Sequence, residues 1–324
     1  MKQLVIDRLG ISQLRRTGAQ NSSDIEALLR AAEVHGAATS ELGSAAARTD
    51  GRIAALEHAA AQQGHDLESL AQWKSVTSNT ALFSVLATDS TSISVVMATR
   101  DRASMCERAL RSVLAQRHQH WQLVIVDDGS TDATPEMLGR LDDERVVVLR
   151  ADGIGAAAAR NLGLASADGQ WVAFLDDDNV MDPGWLHAVA MSALRLPSAV
   201  AFYGAQLRQH EASEGQPIAT SMLFATPADL DALRHDNRID LGALAVRRDS
   251  PELSFHADLQ RFIDWDLVVR LHAAHGLQPL FAWSGVYTTE AGVRISERGG
   301  VEAIDAFRAR LADGADSVGK PAGS

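Results

Sequence analysis

"WQLVIVDDGSTDAT", residues 121–134, decides the fold class. From Trp121 to Val126 apolar, largely β-branched residues run almost unbroken, the pattern of a buried strand. The run stops at Asp127-Asp128-Gly129, and Pro135 opens a helix shortly afterwards. A strand that ends in a polar turn and feeds a helix is one βα unit. A strand this apolar belongs in a parallel sheet covered on both faces. Asp127 and Asp128 either cap the turn or serve a ligand above it.

The unit recurs on both sides. Upstream, "ISVVMAT" (93–99) is a strand and "ASMCERALRSVLAQ" (103–116) an amphipathic helix. Downstream come the strand "RVVVLR" (145–150), the helix "AAAARNLGLASA" (156–167), the strand "WVAFLDD" (171–177) and the helix "PGWLHAVAMSALR" (183–195). These repeats predict a mostly parallel, doubly wound sheet that binds ligands at the carboxyl ends of its strands. Past residue 200 the pattern loosens. Strands are expected at "AVAFYGAQL" (199–207), "LGALAVRRD" (241–249) and "LFAWSGVYTT" (280–289), a helix at "DWDLVVRLHAAHG" (264–276), and a last helix from "VEAIDAFRARLADG" (301–314) before a small polar tail.

Four polar clusters fall at predicted strand ends: "MATRDRA" (97–103), "VDDGSTDAT" (126–134), "GIGAAAARN" (153–161) and "LDDDN" (175–179). The last places Asp176, Asp177 and Asp178 on one tight turn. Like charges this close repel unless a cation or donors compensate them. Hard divalent cations favour such oxygen ligands, completed by phosphate oxygens and water. The third cluster lacks the final glycine of a dinucleotide fingerprint, and no acidic residue follows at the required distance. It reads better as a helix N-terminus, with Arg160 and Asn161 aimed at the acidic turn or at a diphosphate beside it. A salt bridge from Arg160 to that turn is the plainer alternative.

Charge and composition narrow the class. The net charge of −12 argues against a general partner for nucleic acid or anionic membranes. Cys106, the single cysteine, excludes an intrachain disulfide framework and a cysteine-rich zinc site, and sits where a buried helix face is expected. No apolar run is long enough for a membrane helix or a secretory leader, so the expectation is a cytoplasmic protein, with peripheral membrane contact left open.

Residues 1–90 differ from the rest. "NSSDIEALL" carries Ser23 as N-cap with Glu26 three residues on. A heptad seam runs from Ile25 and Leu28 to Leu67 and Leu70, long enough for a coiled coil. His35, Thr39, Thr49 and Gln63 weaken it, as do Gly36, Gly43, Gly51 and Gly64 at about 1 kcal/mol each. An oligomerising helix and two or three shorter helices packed within the chain both fit. The division expected is 1–90 helical, 91–300 catalytic, and 301–324 helix and tail.

In order and spacing these motifs resemble the family 2 glycosyltransferases, which have the GT-A fold and mostly invert at the anomeric carbon. "SVLAQRHQHWQLVIVDDGSTDAT" and "AAAARNLGLASADGQWVAFLDDDN" carry most of the likeness. "DWDLVVRL" extends it loosely, and residues 1–90 lie outside it. The family's I-P-T-Y-N-R is here Met97-Ala98-Thr99-Arg100-Asp101-Arg102. The resemblance implies a nucleoside diphosphate sugar donor, with UDP favoured, held by Ala98, Thr99, Arg100, Arg102, Asp128, Gly129, Arg160, Asp176 and Asp177. It places Asp128 on the imide N–H of the base and implies Mn2+ or Mg2+ on Asp178, Asp176 and, where many members have a histidine, Glu290. Asp264 stands where the family keeps its general base, although Ile263 replaces the usual preceding glutamate and a helix cap is the alternative. Asp266 and Arg270, four apart, are expected to pair.

The expected activity is therefore metal-dependent inverting transfer of a sugar to a hydroxyl of a glycan, lipid-linked or small-molecule acceptor, by a homo-oligomer joined through its amino-terminal helices. One alternative is a nucleotidyltransferase, for which the first turn lacks a lysine. Another is a coiled-coil scaffold with an inactive GT-A domain.

Overall fold

The computed structural model describes residues 91–210, 219–223, 229–259, 261–289 and 303–311. The amino-terminal seam from Ile25 to Leu70, Glu290 and the tail from 312 lie outside the described residues.

The βα repeats fold as the apolar pattern requires. Strands β1 (Ile93–Thr99), β2 (Trp121–Asp128), β3 (Val146–Ala151) and β4 (Trp171–Phe174) alternate with helices α1 (Ala103–Leu114), α2 (Thr134–Leu138) and α3 (Ala156–Ser166). These four strands lie side by side in the order β3-β2-β1-β4, all parallel. The second half of the sheet differs from a mostly parallel expectation. Strands β6 (Ala201–His210), β8 (Leu244–Arg247) and β9 (Gln278–Thr289) extend it in the order β4-β8-β6-β9, with β8 antiparallel to both neighbours. β7 (Ala219–Leu223) pairs antiparallel with β6.

One short strand was not legible in the sequence. β5 (Val180–Met181), two residues directly after the acidic turn, pairs antiparallel with β9 through Val180↔Val286 and Met181↔Gly285. Gly285 permits it, because a Cβ there would collide with the Val180 carbonyl. The acidic turn is thus anchored by a strand on each side.

Alternation along the strands sorts side chains into two cores. Ile93, Val95 and Met97 of β1 pack with Cys106, Leu110 and Val113 of α1 and with Trp185 and Val189 of α4 (Trp185–Arg195). On the opposite face Val96, Val172 and Phe174 meet Leu233 of α5 (Leu230–His235) and Trp265, Val268 and Leu271 of α6 (Ile263–His275), together with Phe307 and Leu311 of the last helix, 303–311. Each such fully buried side chain contributes about 1.5–3 kcal/mol. The two layers clamp the sheet, so its polar strand ends are held on a rigid base.

Candidate active site

Every polar turn of the parallel half emerges at the carboxyl edge of the sheet, and the side chains lock the turns together. Gly129, at φ +79°, turns the chain after β2, and an added Cβ would sit 3.1 Å from the Gly153 backbone nitrogen. Asp127 accepts from Ser130 N at 2.9 Å and from Arg150 Nη1 at 2.8 Å. Asp128 accepts from the backbone N–H groups of Ile154 at 2.7 Å and Gly155 at 2.9 Å, one on each oxygen. It clasps the third turn to the second, a duty the sequence did not reveal. Asp101 adopts a left-handed φ of 53°, and its Oδ1 takes the Thr131 N–H at 2.6 Å, lacing the first turn to the second. Arg100 projects into solvent with its side chain 57% exposed, and its guanidinium crosses the face of Gly153.

At the acidic turn the repulsion predicted for the three aspartates is met by protein cations. Asp177 is buried and accepts from Thr99 Oγ1 at 2.7 Å and Arg102 Nη1 at 2.9 Å. The same Nη1 reaches Asp178 Oδ2 at 3.0 Å, and Arg108 Nη2 donates to the Asp178 backbone carbonyl at 2.9 Å. Asp176 pairs with Arg160 Nη2 at 2.6 Å. Compensation is incomplete. Burial, then the neighbouring charges of Asp176 and Asp177, push the Asp178 carboxyl up to about 6. Asp177 is raised too, by burial most of all, with Arg102 and Thr99 opposing.

Arg160 points as expected, but Asn161 does not. Its side chain donates to the Phe255 carbonyl at 2.7 Å and accepts from the Phe255 N–H at 2.8 Å. Consecutive residues of a helix are rotated by about 100°, so Arg160 faces the acidic turn while Asn161 ties α3 to the chain leading into α6.

The first turn of α6 completes the edge. Asp264 accepts from Asn237 Nδ2 at 2.8 Å, and its carboxyl is raised, by burial foremost and also by the charge of Asp176. Asp266 points away into the core, bonded to Arg270 Nε at 2.8 Å as the four-residue spacing predicted and facing His256 Nδ1 at 3.1 Å. A further carboxylate, Asp240, was missed. It precedes a single 3-10 turn, Leu241–Ala243, and burial together with the charges of Asp176 and Asp264 pushes it up to about 7. It escaped notice because a residue ahead of a strand lies at the wrong edge of a parallel sheet; antiparallel β8 brings it to the right one.

Among the described residues, no three His, Cys, Asp or Glu side chains are already gathered to hold a metal ion. The donor chemistry nevertheless fits a hard divalent cation. The acidic turn offers the carboxylate oxygens of three aspartates, Asp178 stays raised despite the arginines beside it, and a diphosphate would supply further oxygens.

The comparisons agree with this architecture. Residues 94–252 match the Glycosyl transferase family 2 model. The Bacillus subtilis (strain 168) protein named "Putative teichuronic acid biosynthesis glycosyltransferase TuaG" is 36% identical over 129 residues, 39% of this chain and 50% of that one. The Rhizobium meliloti (strain 1021) succinoglycan biosynthesis protein ExoO is 38% identical over 92 residues, 28% of this chain and 26% of that one. The chain thus spans half or less of the length of these relatives. The crystal structure of S. aureus TarS 1-349 in complex with UDP-GlcNAc superposes with a TM-score of 0.51 at 17% identity, covering 68% of this chain and 66% of that one, a likeness of fold. The fold is GT-A, and residues 94–252, just under half of the chain, match glycosyl transferase family 2. Asp264 lies beyond the matched stretch. No helix among the described residues is long and apolar enough to cross a membrane.

Proposed function

We propose that the protein transfers a sugar from a nucleoside diphosphate donor to an acceptor hydroxyl, with inversion and with the help of a divalent cation. One observation carries this: the buried acidic turn, the Arg102 and Arg160 guanidinium groups on its carboxylates and the half-buried Asp264 converge on one edge of the sheet, although Asp264 and the turn are 86 residues or more apart in sequence. Asp264 accepts the proton of the attacking hydroxyl. The acceptor oxygen bonds to the anomeric carbon as the bond from that carbon to the diphosphate breaks, and the electron pair leaves with the diphosphate. A raised carboxyl suits a general base, since its proton affinity lies nearer working pH. Asn237 keeps Asp264 oriented. Arg102 and Arg160, already committed to carboxylates, are the cations nearest to meet phosphate oxygens. Asp178 and Asp176 would hold Mn2+ or Mg2+, which supplies Lewis-acid stabilisation of the leaving group when bound.

The edge made by Ala98, Thr99, Arg100, Asp128 and Gly129 is proposed to receive the nucleotide. UDP-sugars are the first donors to test, because the TarS structure of this fold was crystallised with UDP-GlcNAc. Residues 1–90 are proposed to join copies of the chain through the Ile25–Leu70 seam. Release of nucleoside diphosphate from UDP-sugars with Mn2+, and its loss in excess chelator, tests the central proposal. Activity undiminished by chelator removes the cation from it.

A further inference from the structure

Asp240 belongs to none of the roles above, yet it is built into the same edge. Its Oδ1 accepts from the Gly242 N–H at 2.9 Å and from Gln206 Nε2 at 3.1 Å. Gln206 is only 2% exposed, and its Oε1 has no hydrogen-bond partner among the described residues. Leaving a buried amide oxygen unpaired costs about 1–3 kcal/mol, so an unpaired Gln206 needs a reason. The strand around it is irregular: the β6–β9 register shifts between Tyr203 and Gln206, the kind of bulge that re-aims a side chain. Gly242 leaves room for the contact, since a Cβ there would stand 3.2 Å from Asp240 Oδ1 and 3.3 Å from Gln206 Nε2.

Position gives the pair its meaning. Asn237, three residues before Asp240, donates to Asp264 Oδ2 at 2.8 Å, and the charges of Asp176, on the acidic turn, and Asp264 both raise Asp240. In an in-line displacement the transferred sugar lies between the leaving diphosphate and the base that holds the acceptor. A carboxylate within the field of both ends flanks that sugar. Carboxylate oxygens accept from hydroxyl groups, and an amide carbonyl does the same. We infer that Asp240 and Gln206 form the recognition pair for ring hydroxyls of the transferred sugar, with Asp240 in contact and Gln206 positioning it and offering its free oxygen. The inference rests on the transferase reading and specifies which residues select its donor.

The test separates the sugar from the nucleotide. Calorimetry on the full chain with Mn2+ compares UDP with UDP-glucose, UDP-galactose and UDP-N-acetylglucosamine, and GDP with GDP-mannose. Asp240→Ser keeps an oxygen to cap Gly242 but removes the reach to a ligand; Gln206→Leu removes the amide and keeps the volume. Wild type is expected to bind one sugar nucleotide more tightly than its bare diphosphate. Asp240→Ser is expected to erase that gain, about tenfold or more for a hydrogen bond to a charged group, while diphosphate affinity stays within about twofold. Gln206→Leu lowers the gain by less. A gain that survives in Asp240→Ser overturns the inference and leaves the transferase reading standing. So does a variant that loses diphosphate and sugar nucleotide equally, or a wild type that binds a diphosphate with no gain for any sugar. A wild type that binds no nucleotide at all overturns both.

Discussion

Replacing Asp178 by Asn should inactivate the site and stabilise the fold. Burial and the charges of Asp176 and Asp177 push the carboxyl up to about 6 from its ordinary 3.8. A folded-state value above the unfolded one means that the native state holds its proton more tightly. Stability therefore falls as pH rises between about 4 and about 6, and the full penalty applies above that. A rise of that size corresponds to at most about 3 kcal/mol. The side chain is 32% exposed, and solvent screening reduces this to about 1–2 kcal/mol. At roughly 2–4 °C per kcal/mol, the apo variant should melt about 2–8 °C above wild type at pH 7.5. Differential scanning fluorimetry in metal-free buffer from pH 4 to 8 reads this directly: the two curves should meet near pH 4 and diverge to about pH 6. Addition of Mn2+ should then raise wild type and leave the variant unmoved. A variant that melts below wild type at pH 7.5, or a gap that persists undiminished at pH 4, refutes the argument that repulsion and burial of this carboxylate strain the turn.

Asp264→Asn should lower kcat by about 10²- to 10⁴-fold with donor affinity nearly unchanged, as measured by steady-state kinetics beside calorimetry. Asp266→Asn, which disturbs the pairing with Arg270 and His256, should instead cost about 1–3 kcal/mol in chemical denaturation; if it abolishes turnover and Asp264→Asn does not, the base is two residues along. Gly285→Ala drives a methyl into the Val180 carbonyl and should lower the melting temperature and weaken nucleotide binding together, because β5 anchors the acidic turn. Removal of residues 1–85 should give a smaller species by light scattering with donor hydrolysis retained; a monomeric full-length chain would end the proposal for the seam.

The parallel half of the molecule was legible because each strand is apolar on both faces and each turn is polar, a contrast that needs no partner to interpret. The acidic turn stood out for the same local reason, and Asp266–Arg270 for its helical spacing. What stayed hidden depends on partners distant in the chain. Asn161 meets a backbone 94 residues away, and nothing near it says so. β5 is two residues long and exists only because β9 lies beside it. Asp240 reaches the site through the reversed direction of β8, and strand direction leaves no trace in apolar alternation. The mixed character of the second half has the same origin.

The clasp between Asn161 and residue 255 has a consequence for how such a chain can vary. Both bonds go to backbone atoms, the N–H and carbonyl of Phe255. A joint made on backbone reads the path of the chain and not its side chains. The segment it holds runs on to Asp264, on the side proposed for the acceptor, while the helix it hangs from faces the acidic turn through Arg160. The exposed positions of that segment, such as Ala257, can therefore vary without shifting Asp264, the proposed base, relative to the acidic turn. Phe255 and Phe262, which pack on Phe174 and Trp265, are held to their size as well as to their path.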